Sequence, residues 1–155
     1  MSAPYYESIN LIERLHRQFM DVLKVELERA NILDINNVQA LILHNVGTDE
    51  LTVGELTVRG YYLGSNVSYN VKKMVENGYI VQEKSIHDKR STRVRLTDKG
   101  RALDSAITRL YKTHGERLTA ANISNTKLEN MNVALRELES FWSQQVGAGG
   151  LSLSA

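Results

Sequence analysis

Residues 66–80, Asn66-Val67-Ser68-Tyr69-Asn70-Val71-Lys72-Lys73-Met74-Val75-Glu76-Asn77-Gly78-Tyr79-Ile80, read as a helix that runs into a strand. Val67, Val71, Met74 and Val75 are spaced four, three and one, the period of a helical apolar stripe. The helix starts near Ser65, and Gly78 ends it. From Tyr79 to Ile86 the chain turns β-branched and extended. The positions off the stripe are Ser65, Asn66, Ser68, Tyr69, Asn70, Lys72 and Lys73, with one acid, Glu76, near the far end. A merely solvated helix face mixes its charges. This one gathers amides, hydroxyls and lysines, the groups that meet base edges and phosphates.

Upstream, Thr52-Val53-Gly54-Glu55 is a capping box that opens a short helix to about Arg59, and Gly60-Tyr61-Tyr62-Leu63-Gly64 forms the turn after it. Two short helices joined by a tight glycine-containing turn are a helix-turn-helix, whose second helix enters a DNA major groove. Asn66 or Asn70 can pair with adenine, and Tyr69 can reach a phosphate or a thymine methyl. Lys72 and Lys73 suit phosphates better, as mobile point charges. Farther upstream, Asp34, Asn36 and Asn37 offer N-caps for a helix that Gly47 stops. Tyr5 to Ala30 reads as one long amphipathic helix.

Downstream, Val94 and Leu96 alternate with Arg93 and Arg95, which predicts a second strand with its arginines turned away from the packed face. The hairpin loop between the strands is His87-Asp88-Lys89-Arg90-Ser91, and Lys84, Lys89, Arg90, Arg93 and Arg95 gather on or beside it. An extended arm of this kind can place an arginine in a narrow minor groove, where negative potential is concentrated. Asp88 can hold the Arg90 guanidinium by a two-pronged contact. Thr97 caps a long helix through Leu118, Asn122-Ile123-Ser124-Asn125 interrupts it, and Ser124 caps the last helix. There Leu128, Leu135 and Trp142 fall seven apart, as do Met131 and Leu138, making a coiled-coil type of seam. The tail, 147–155, is expected to be flexible.

The fold class expected is α+β, mostly helical: a winged helix-turn-helix whose N- and C-terminal helices form a dimerisation domain. Residues 1–33 and 102–146 are assigned to dimerisation and 34–101 to the DNA-binding lobe. The first and last helices carry apolar stripes that a chain of 155 residues leaves uncovered, hence a homodimer. Net charge is +1, but Thr52 to Arg101 carries ten Lys/Arg against five acids, so this segment is +5 and the remainder −4. The positive middle is where a polyanion is attracted.

The composition, with 42% hydrophobic and 24% charged residues, excludes a wholly disordered chain. The absence of cysteine excludes disulfides, thiolate metal sites and a cysteine nucleophile, and fits a cytoplasmic protein. No apolar run is long enough for a transmembrane helix, and the N-terminus does not read as a signal peptide, so no membrane partner is expected. Phosphate-loop, nucleophile-elbow and paired-carboxylate motifs are missing, which argues against an enzyme. The four histidines lack helical ligand spacing, so neither a metal nor a cofactor is expected. His16, Phe19, His44 and Tyr61 could line a crevice for a small-molecule effector, although core packing is the better reading of Phe19.

The stretch 66–80 together with Asp88-Lys89-Arg90, Leu96-Thr97 and Gly100 resembles the MarR family of winged-helix transcription regulators. The former is similar to that family's recognition helix, and the latter to its wing pattern, Asp-x-Arg followed by Leu-Thr and a glycine. The order of elements agrees from Tyr5 to Val146. The resemblance implies an obligate homodimer, Arg90 as the minor-groove arginine with Asp88 orienting it, and, in many members, DNA release on binding a small molecule. Three features depart from the pattern: Gln82 and Tyr69 stand where arginine is common, and the turn at 60–64 is unusually rich in glycine and tyrosine. The expected function is sequence-specific binding of a pseudo-palindromic operator in double-stranded DNA, with regulation of transcription by repression. The alternative is a winged-helix adaptor that contacts proteins and not DNA.

Overall fold

The computed structural model describes residues 3–84, 86–87 and 91–147. The chain divides into two compact units, Met1–Thr108 and Arg109–Ala155. The wing residues Asp88, Lys89 and Arg90 and all of the tail beyond Gly147 lie outside the described residues.

The first unit begins with α1 (Ala3–Arg29), which buries Leu23 and Leu27 near its end. Leu11, Leu15, Phe19 and Val22 on the same helix stay exposed. Phe19 is therefore not a core residue of the single chain. After the linker comes α2 (Asn37–Val46), opened by a capping box in which Asn36 and Gln39 bond each other's backbone N–H. Its inner face, Ala40, Leu43 and Val46, is fully buried and forms the centre of the core. Gly47 ends it at φ +58°, a conformation that favours glycine.

The strand β1 (Leu51–Thr52) precedes α3 (Val53–Gly60), and Thr52 caps that helix through the expected box with Glu55. Next come α4 (Gly64–Glu76), β2 (Ile80–Lys84) and β3 (Thr92–Leu96). The sheet has three antiparallel strands in the order β1-β3-β2, where the hairpin reading expects two. Two residues are too few to show a period of two in sequence. Leu51 nonetheless pairs with Val94, and both are buried. On the other edge of β3, Ile80 pairs with Leu96 and Val81 with Arg95, so Val94 and Leu96 face the core and Arg95 is turned to solvent.

The helix α5 (Asp98–Ala120) begins in the first unit and ends in the second. Thr97 caps it: the hydroxyl accepts from the Gly100 amide at 3.1 Å and donates to the Gly78 carbonyl at 2.6 Å. Gly100 has to lack a side chain, because a Cβ there would sit 2.2 Å from the Tyr79 carbonyl oxygen. In the second unit α6 (Asn125–Gly147) follows, with Ser124 accepting from the Lys127 amide as its cap. Not one residue of α6 is buried. Met131 and Leu135 are exposed, and Leu128, Leu138 and Trp142 are covered only in part.

Candidate nucleic-acid interface

The helices α3 and α4 meet around Leu56, Val67, Val71 and Met74, all essentially inaccessible to water. That packing turns Ser65, Asn66, Ser68, Tyr69 and Lys72 outward, with Lys73 partly covered. The Lys73 ammonium lies 5.8 Å from the centroid of the Tyr69 ring and 3.5 Å from Glu76. Between the start of α3, the outer flank of α4 and the sheet runs a groove of about 510 Å³. Thr52, Gly54, Ser68, Lys72, Gln82, Ser91 and Thr92 line it, so it is rich in hydroxyl groups and carries one ammonium. Gln82, one of the departures from the family pattern, stands on this groove.

Asn70 does not belong to the outer face. It is only 9% exposed, its side-chain oxygen accepts from the buried Gln39 amide at 3.2 Å, and its own NH2 donates to the Asn66 carbonyl. Its side chain is committed to the α2–α4 contact and cannot also pair with adenine, which leaves Asn66 as the candidate. Arg93 is partly engaged: its guanidinium donates to the Glu50 carbonyl at 3.3 Å and lies 3.6 Å from the Glu50 carboxylate. Arg95 pairs with Glu83 at 3.4 Å. Pairs this exposed are weak and exchange readily for phosphate oxygens.

In the turn between α3 and α4 the two adjacent tyrosines part company. Tyr62 points inward, and its hydroxyl accepts from the Asn45 side chain at 2.5 Å. Burial raises the Tyr62 pKa, against the lowering effect of the Asn45 bond. A Cβ on Gly60 would meet the Tyr62 ring at 1.9 Å, so the glycine makes room for that ring. The left-handed position that closes α3 then falls one residue later, on Tyr61, at φ 54° and ψ 41°. The bonds of Tyr61 N–H to the Val58 carbonyl and Tyr62 N–H to the Thr57 carbonyl complete a Schellman closure. An L-residue pays roughly 1–2 kcal/mol for this conformation. Tyr61 projects with 84% of its surface exposed, which is not the lining of an enclosed crevice.

Of the other crevice candidates, His16 is exposed on α1, and His44 is partly buried with Nδ1 2.7 Å from the Asp104 carboxylate. No group of three or more metal-ligating side chains is found among the described residues. Among those residues, no helix is long and apolar enough to cross a membrane.

A helix-turn-helix whose second helix displays amides, hydroxyls and lysines, backed by a three-stranded sheet, defines a winged-helix DNA-binding protein of the regulator class. Residues 35–100 match the family described as a winged helix DNA-binding domain. The exopolysaccharide II synthesis transcriptional activator ExpG of Rhizobium meliloti is 37% identical over 145 residues, spanning 94% of this chain and 75% of that protein. Among solved structures, Streptococcus pneumoniae FabT in complex with DNA superposes with a TM-score of 0.74 at 19% identity, covering 90% of this chain and 98% of FabT. Staphylococcus aureus MarR in complex with salicylate and kanamycin does so with a TM-score of 0.73 at 22% identity, covering 91% and 93%. The chain belongs to the MarR family of winged-helix transcriptional regulators.

Proposed function

We propose that this regulator works as a homodimer on a pseudo-palindromic operator, with α4 of each protomer in successive major grooves about 10 bp apart. The observation that carries this reading is the outward face of α4: Ser65, Asn66, Ser68, Tyr69, Lys72 and Lys73 present readers and phosphate ligands on one rigid element. Arg93 adds a cation on the wing strand. Lys89 and Arg90, the latter oriented by Asp88, are assigned to the minor groove on the strength of the family pattern.

Dimerisation is supported by two uncovered apolar faces, Leu11, Leu15 and Phe19 on α1 and Met131 and Leu135 on α6. Contiguous exposed apolar side chains are associated with an interaction surface. Residues 1–33 and 102–146 are thus the proposed dimerisation region, and 34–101 the reading lobe. The protein acts in the cytoplasm, where its DNA is. A small-molecule effector is part of the proposal, since a family neighbour holds salicylate and kanamycin. The candidate residues for it are His16 and Phe19 on α1 and His44 on α2; Tyr61 stands exposed on the α3–α4 turn and is not among them. The sequence reading favours repression, yet the Rhizobium relative is named an activator. The same grip on DNA occludes a promoter or supports polymerase according to where the operator lies.

The test is selection of bound genomic fragments, followed by mobility-shift titration of the recovered operator across salt. If the dimer neutralises roughly six to ten phosphates, log K falls with log salt at a slope of about −5 to −9. Arg90→Ala loses roughly 1–3 kcal/mol of operator affinity and keeps the dimer. No shift at low salt overturns the reading in favour of the protein-binding adaptor.

A further inference from the structure

Two neighbouring positions beside the recognition helix break local rules together. Tyr61 takes the left-handed position that glycine fills best, and Leu63 takes the N-cap of α4, where no side chain caps the helix. Serine, threonine, aspartate or asparagine at Leu63 would bond a free amide, and glycine at 61 would relieve the backbone. Both side chains are also displayed to water, Tyr61 at 84% and Leu63 at 71%. The turn enforces the display, because Tyr62 between them is anchored inward by Asn45 and by the space that Gly60 leaves. Local choices that cost stability and expose apolar surface persist at sites that serve function.

We propose that Leu63 and Tyr61 are specificity-determining residues that make apolar contact with thymine C5-methyl groups at the operator edge facing the N-terminus of α4. The proposal rests on the DNA-binding reading above. The recognition helix offers its N-terminal end to base edges, and Leu63 at its N-cap and Tyr61 two residues earlier stand at that end. The thymine methyl is the apolar group that the major groove presents. Two side chains are too small a patch for a protein interface of ordinary size. Farther along α4, Lys72 and Lys73 supply positive charge that favours a polyanion.

The test uses the full-length protein and a duplex that it selects from a random-sequence library, with thymines near each α4 replaced in turn by deoxyuracil. Wild type is expected to lose about three- to fivefold in affinity for each contacted methyl removed. Leu63→Ser and Tyr61→Gly are expected to bind the thymine duplex several-fold more weakly, to be indifferent to the deoxyuracil exchange, and to melt at the same temperature or higher. Affinity falling while Tm holds separates a DNA contact from a structural role. Variants that bind like wild type and keep the deoxyuracil penalty overturn the inference while leaving the DNA-binding reading intact. Variants that bind DNA normally but fail in reconstituted transcription also overturn it, and assign the turn to a protein partner. If wild type selects no duplex at all, the DNA-binding reading fails, and this inference with it.

Discussion

The Tyr79 hydroxyl donates to the Asp34 carboxylate at 2.5 Å, across 45 positions of sequence. Asp34 lies in the linker between α1 and α2, and Tyr79 follows Gly78, where α4 has ended. Lys99 from α5 closes the cluster: its ammonium is 2.6 Å from Asp34, donates to the Asn77 carbonyl at 2.9 Å and lies 4.3 Å from the Tyr79 ring centroid. Asn77 donates back to the Asp34 carbonyl. The end of the recognition helix is thereby tied to the linker and to the start of α5.

This cluster predicts two limbs in the pH dependence of stability. The Lys99 bond, then the Tyr79 bond, hold the Asp34 carboxyl below its ordinary 3.8. A lowered pKa contributes stability that is present above 3.8 and drains away as pH falls through the folded value. Burial first, then Asp34, raises the Tyr79 phenol above its ordinary 10.0. That contribution is complete below pH 10.0 and is lost as pH climbs beyond it. Urea unfolding over a pH series should show Asp34→Asn with a shallower acid limb and Tyr79→Phe with a shallower alkaline limb. At neutral pH the loss of the half-exposed Lys99 pair should cost less than about 1 kcal/mol. Acid limbs that run parallel in wild type and Asp34→Asn would show that the cluster contributes nothing to that limb.

Asn70→Ala should act on folding and not on base choice. It removes the partner of a buried Gln39 amide and should cost roughly 1–3 kcal/mol of stability. With binding corrected for the folded fraction, the preferred operator sequence should match that of wild type. Asn66→Ala should do the reverse, weakening discrimination at one base pair with little change in Tm. An altered base preference in Asn70→Ala would return that residue to the reading face.

Gly100→Ala should destabilise by about 1–3 kcal/mol, because the added carbon meets the Tyr79 backbone and not a side chain that could turn aside. The same carbonyl accepts from the Thr97 amide at 3.0 Å and lies 3.1 Å from the Thr97 hydroxyl oxygen. Moving it would loosen the joint between β3 and α5. A thermal melt equal to wild type would mean that the helix start can shift without cost.

These residues show how far the sequence could be read. Val67, Val71 and Met74 disclose the inner face of α4 by spacing alone, and the capping box at Thr52 locates the start of α3. Asn70 was legible too, since it lies three residues after Val67 and four before Met74 and so shares their face. Its amide chemistry points to a base reader and its spacing to the core, and the spacing decides. The strand β1 was hidden, because its two residues pair with a β3 that lies some forty positions away. The turn was hidden for another reason: Tyr61 and Tyr62 are the same residue type in adjacent positions. Only the ring space at Gly60 and the donor on Asn45 decide which of them is buried.

The unburied face of α6 gives the last prediction. Leu135 is the middle member of the series Leu128, Leu135 and Trp142, and it is 41% exposed in the single chain. An isolated carboxylate at that position would be solvated in a monomer and cost little. Buried in a seam against a second copy, it would be an unpaired charge in an apolar contact, at a cost of several kcal/mol. Leu135→Asp should therefore shift sedimentation from dimer to monomer, or unfold the chain if the protomers do not fold alone. Arg136→Asp is the control, since its side chain lies one position round the helix and off that series. A Leu135→Asp chain that sediments as a stable dimer would remove α6 from the interface and leave α1 to account for any association.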